Sequence, residues 1–83
     1  MKKEARVAFN KLKKLGCPVR ESQPNYPERG YFWINAELSE AEGWLDYWSA
    51  DLFFGSDKLN KILADHGLYW EWYNSAYGCV YDA

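Results

Sequence analysis

The stretch Leu68-Tyr69-Trp70-Glu71-Trp72-Tyr73 decides the fold. In an extended chain Leu68, Trp70 and Trp72 fall on one side and Tyr69, Glu71 and Tyr73 on the other. This alternation, in residues that suit a pleated half-buried surface, predicts a β-strand. Asn74-Ser75-Ala76-Tyr77-Gly78 reads as a hairpin loop, and Cys79 to Asp82 as the strand that returns. The same alternation occurs upstream, from Gly30 to Ala36, where Phe32, Ile34 and Ala36 oppose Tyr31, Trp33 and Asn35. Residues 17–22 form a shorter strand with Val19 and Glu21 on one side and Arg20 on the other. Pro18 lacks an amide proton and marks this strand as an edge or a strand start. Ser22 to Gly30, with Pro24, Asn25 and Pro27, is the connecting loop.

Helical periodicity fills the remainder. From Lys3 to Leu15, residues Ala5, Ala8, Phe9, Leu12 and Leu15 fall on one stripe at 100° per residue. Gly16 then ends the helix and Pro18 prevents its continuation. Ser39-Glu40-Ala41-Glu42 has the spacing of a capping box, and Ala41, Trp44, Leu45, Trp48 and Leu52 make a stripe after it. A second helix is therefore expected, ending at Gly55 and carrying Gly43 in its first turn at a cost of about 1 kcal/mol relative to Ala. Ser56-Asp57 starts a third, with Leu59, Ile62, Leu63 and His66 facing inward and Gly67 as its stop. The expected order is α-β-β-α-α-β-β. This is an α+β fold: one domain over residues 1–83, a four-stranded mostly antiparallel sheet, and helices on one face.

Composition limits what such a domain can be. Among its 83 residues, sixteen are aromatic and only thirteen are Leu, Ile or Val. A chain this rich in apolar residues is not disordered, and no apolar run approaches the roughly 20 residues of a membrane span. Met1 to Arg6 is basic with no apolar segment after it, so a secretory signal is not expected and the cytoplasm is the expected location. A folded surface of about 5,200 Å² follows from the size. A domain this small has little room for sixteen rings, so several must reach the surface.

The helices leave one sheet face uncovered, and the alternation places Tyr31, Trp33, Tyr69 and Tyr73 on it. Clustered exposed rings mark an interface. The leading expectation is a non-catalytic interaction module that binds itself as a homodimer, or another protein, through these four residues. The alternative is a nucleic-acid-related role, with bases stacking on the rings or the acidic half imitating nucleic acid. Charge is uneven enough to raise this second reading. Residues 1–34 carry eight Lys/Arg and three Glu, a balance of +5, while residues 35–83 carry two Lys and nine Asp/Glu, a balance of −7. Lys2, Lys3, Arg6, Lys13 and Lys14 are the candidates for a basic rim. The proline-stiffened loop Gln23 to Arg29 is a further candidate contact.

Catalytic chemistry is not expected. No phosphate-binding loop, nucleophile elbow or metalloprotease spacing occurs. His66 reads as a helix-end imidazole near free carbonyls, and a nucleophile pair with Cys17 or Cys79 would need a third orienting group and a cleft. Glu40, Glu42, Asp46 and Asp51 read as a solvated helix face. Two Cys and one His do not make an ordinary structural zinc site, and no cofactor or metal is expected. Cys17 and Cys79 both lie at expected strand starts, and reduced thiols are expected of them.

The run Lys58-Leu59-Asn60-Lys61-Ile62-Leu63-Ala64-Asp65-His66-Gly67-Leu68-Tyr69-Trp70-Glu71-Trp72 resembles small uncharacterised proteins of phages, particularly marine ones. The resemblance covers fifteen residues and implies a bacterial cytoplasm during infection. It implies no activity and carries over no site residues.

Overall fold

Antiparallel pairing links all four strands of this computed structural model, which describes residues 1–83. Helix α1 (Lys3–Lys14) precedes β1 (Val19–Glu21) and β2 (Phe32–Asn35), and α2 (Asp57–Asp65) precedes β3 (Leu68–Trp72) and β4 (Tyr77–Asp82). The sheet order is β1-β2-β4-β3, so β1 and β3 are the edges. Pro18 therefore precedes an edge strand; its carbonyl accepts from Asn35 N, but it has no amide proton to return to Asn35 O, so the β1–β2 ladder ends there.

Register fixes the two faces. Ile34 lies opposite Val19 and Gly78, Phe32 opposite Val80, and Val80 opposite Trp70. Opposed residues share a face. The helices cover the face of Val19, Phe32, Ile34, Leu68 and Val80, where α1 contributes Ala5, Ala8, Phe9 and Leu12 and α2 contributes Leu59, Ile62 and Leu63. Phe9 meets Phe32 edge-on at 5.3 Å between centroids. The accessible surface is 5215 Å², as the chain's size requires.

The helix ends follow local chemistry. Cys17 N donates to Leu12 O and Gly16 N to Lys13 O, closing α1 with a Schellman motif. Ser56 Oγ accepts from Leu59 N at 3.1 Å and caps α2. No helix is long and apolar enough to cross a membrane.

The helix expected after Ser39 does not form. Only a 3₁₀ turn, Ser39–Ala41, stands there, and residues 42–55 are a chain of turns. Ser39 Oγ makes no cap to Glu42, whose amide donates instead to the Ser39 carbonyl at 3.1 Å. Glu42 is extended at ψ 129° and Gly43 takes φ +83°. That left-handed conformation is open to glycine and interrupts any α-helix. Asp46 then accepts from Trp48 N at 2.9 Å, closing a local turn. The front of the expected stripe is still buried, with Ala41, Trp44 and Leu45 all inside, but Trp48 is not. The observed order is α-β-β-α-β-β.

Candidate functional site

On the face away from the helices stand Trp33 from β2, Tyr77, Cys79 and Tyr81 from β4, and Tyr69 and Glu71 from β3. Tyr73 continues this side beyond β3. Trp33 packs on Tyr77 at 4.6 Å, and Tyr69 lies 5.8 Å from Tyr81. Part of the face is roofed by the chain itself. The loop before β2 folds back, and Tyr81 donates its hydroxyl proton to Glu28 O at 2.8 Å. The Arg29 guanidinium stands over the Tyr26 and Tyr73 rings, at 4.6 and 5.1 Å from their centroids. Burial pushes the Tyr81 phenol up to about 12 and raises the neighbouring Cys79 thiol. Trp33 is half-buried, whereas Tyr69 and Tyr73 are 40% and 45% exposed.

Tyr31 is not with them. Its amide donates to Val80 O, while the residue opposite Val80 is Phe32. Two successive residues thus oppose one, as in a β-bulge, and the alternation does not carry back to Tyr31. Tyr31 packs against the core on the helix side, and its hydroxyl donates to Asp82 Oδ2 at 2.7 Å. Lys2 pairs with the same carboxylate and lies over the Tyr31 ring.

The basic candidates belong to this helix layer too. Arg6 pairs with Glu21 at 2.6 Å, Lys13 lies 5.9 Å from the Phe9 ring, and Lys3 and Lys14 are exposed without an ionic partner. The structure therefore brings together Trp33, Tyr69 and Tyr73, and places the α1 cations across the sheet from them.

A second ring cluster lies on the helix side of edge strand β3. Tyr47 sits at the centre of an edge-on set with Trp48, Phe53 and Trp72, at 5.0, 5.3 and 5.2 Å. Phe53 touches Phe54 at 5.1 Å, and Trp72 touches Trp70 at 5.0 Å. The indoles fix the cluster through polar bonds. Trp72 Nε1 donates to Phe53 O at 2.8 Å, and Trp70 Nε1 to Asn60 Oδ1 at 2.9 Å. Asn60 Nδ2 in turn donates to Phe54 O. Gly55, at φ +79°, allows the chain to pass close beneath, since a Cβ there would meet Trp70 Nε1 at 2.7 Å. Two rings of this cluster face water: Trp48 is 81% exposed and Phe54 77%. The expected helix stripe puts Trp48 beside Trp44 and Leu45, whereas the turns carry it out to this cluster. The adjacent pairs Tyr47-Trp48 and Phe53-Phe54 are its signal, because neighbouring residues on a helix cannot share one stripe.

The strand under this cluster has a free edge. Tyr73 N donates to Tyr77 O and Ala83 N to Gly67 O, so the odd-numbered residues of β3 bond to β4. The peptide groups of Leu68, Trp70 and Trp72 point the other way. Their amides and carbonyls have no partner in the chain outside the ladder. A cleft of about 320 Å³ runs beside them, with Phe53, Phe54 and Asn60 on one side and Tyr69 and Glu71 on the other.

Groups capable of chemistry are dispersed. His66 ends α2 and its Nδ1 lies 2.8 Å from Glu4 Oε2 on α1, tying the two helices. That contact holds the Glu4 carboxyl below its ordinary range. Both cysteines are free and buried, and burial pushes the Cys17 thiol up to about 12. No group of three or more His, Cys, Asp or Glu side chains converges. Comparison with family models, with curated proteins and with solved structures gives no match.

Proposed function

We propose that this chain is a non-catalytic protein-interaction module that works through the ring cluster beside β3. One observation carries the reading. Trp48 and Phe54, the two most exposed of its large apolar side chains, belong to a single cluster that leads onto an unpaired strand edge. Covering a large apolar side chain contributes about 1.5–3 kcal/mol, and aromatic residues are enriched at interfaces. Tyr69 lines the cleft beside this cluster, so one of the rings expected at an interface borders the proposed surface. Unpaired buried thiols suit a reducing compartment, which supports a cytoplasmic setting.

The acidic residues of the second half and the separation of the α1 cations from the sheet rings both favour a protein partner over nucleic acid. A photo-crosslinking residue at position 48 or 54 tests the proposal in cells. It should give a discrete adduct with a protein, and the same residue at exposed Lys14 should not. Equal labelling from all three positions would overturn it.

A further inference from the structure

We infer that the partner is a second copy of this chain, paired antiparallel through β3 about a two-fold axis at Trp70; this rests on the interaction reading above. Leu68, Trp70 and Trp72 offer alternate donors and acceptors along an edge that opens on the cleft and makes no other backbone hydrogen bond in the chain. Such an edge pairs with another strand unless something opposes it. Glu71 is the only charge on β3, and the usual effect of an edge charge is to keep copies apart. Whether it does so here depends on register.

When the strand meets its own copy antiparallel, with outward groups facing outward groups, three registers pair more than one outward residue. Centring on Glu71 opposes two carboxylates, which is destabilising. Centring on Tyr69 opposes two tyrosines and leaves Trp72 unpaired. Centring on Trp70 pairs Trp70 with its copy and Leu68 with Trp72 of the copy, at both ends. This register satisfies the outward amides and carbonyls of all three residues. It also sets Glu71 against Tyr69 of the copy, so no like charges meet. The strand Leu68-Tyr69-Trp70-Glu71-Trp72 is thus self-complementary in one register. Pairing joins two four-stranded sheets into one of eight strands and brings the exposed ring clusters together on the helix side.

Sedimentation equilibrium from about 1 to about 500 µM, a range that spans weak to moderate dimers, should show a monomer–dimer equilibrium. Tyr69 faces away from the core, so charge can be placed there. Tyr69→Glu opposes Glu71 of the copy twice and should weaken dimerisation at least about tenfold. Tyr69→Lys should leave it equal or tighter, and Tyr69→Glu with Glu71→Lys should restore it. Circular dichroism checks that each variant is folded. A monomer throughout the range, or weakening by Tyr69→Lys equal to that by Tyr69→Glu, overturns the inference. Crosslinking from position 54 to a different protein, with this chain monomeric, would leave the interaction reading standing and remove only the self-pairing.

Discussion

Gly78→Ala should destabilise the fold, and the structure says through which contacts. Gly78 lies on the helix side of β4, opposite Ile34 and Trp72. A Cβ there would stand 2.7 Å from Leu45 Cδ2 and 3.0 Å from Trp70 Cε3. Leu45 is fully buried, so its methyl cannot swing into solvent. Overpacking of this kind costs about 1–3 kcal/mol. Replacing a strand glycine returns roughly 0.5–1 kcal/mol of unfolded-state entropy. The net cost is then up to about 2.5 kcal/mol. At about 4–8 °C per kcal/mol for a domain of this size, the melting temperature should fall by up to about 20 °C. Urea titration followed by tryptophan fluorescence measures this directly. The decisive comparison is a double-mutant cycle with Leu45→Ala. That substitution alone should cost about 2–5 kcal/mol, but it empties the space the new methyl needs. Gly78→Ala should therefore cost at least about 0.5 kcal/mol less in the Leu45→Ala background. Strict additivity would refute the placement of residues 42–55 against the sheet.

Three further outcomes follow from other parts of the molecule. Hydrogen bonds and ion pairs hold Glu4, Glu21 and Asp82 below their ordinary values of 4.5, 4.5 and 3.8. Their stabilising contribution is thus complete above about pH 4.5 and lost as pH falls through the lower folded values. Melting temperature should decline across that acid window, with a shallower slope in Glu21→Gln; a flat profile down to pH 2 would contradict the pairings. Cys17 and Cys79 should resist a thiol reagent at neutral pH and react on unfolding, and rapid labelling of folded protein would count against their burial. Ser56→Ala removes the cap on Leu59 N and should cost about 1 kcal/mol in urea titration; no change would mean that the cap is not formed.

Much of the architecture was legible because period-two and period-3.6 patterns act locally. Leu68 to Trp72 and Phe32 to Asn35 alternate as the sheet requires, and Gly16, Ser56 and Gly67 stand where their helix ends need them. Residues 39–55 depart from the expected helix for a physical reason. A capping-box spacing and an apolar stripe are also compatible with turns, and one glycine at positive φ with an aspartate capping its own loop tips the balance. The surface rings divided in the same way. Tyr69 and Tyr73 follow directly from alternation, whereas Tyr31 is turned to the other side by the doubled residue opposite Val80. The exposed pair Trp48 and Phe54 depends on how residues 42–55 fold back, which involves long-range contacts such as Ser56 N to Trp44 O and Trp72 Nε1 to Phe53 O. No local pattern encodes those.

Hydrogen exchange at single amides, measured at low and high protein concentration, tests the central claim most directly. The amides of Leu68, Trp70 and Trp72 are free in one copy and bonded in the pair. Their exchange should slow as concentration rises, while that of Tyr69 and Glu71, already bonded to β4, should change far less. Exchange at Leu68, Trp70 and Trp72 that is fast and independent of concentration would contradict the account.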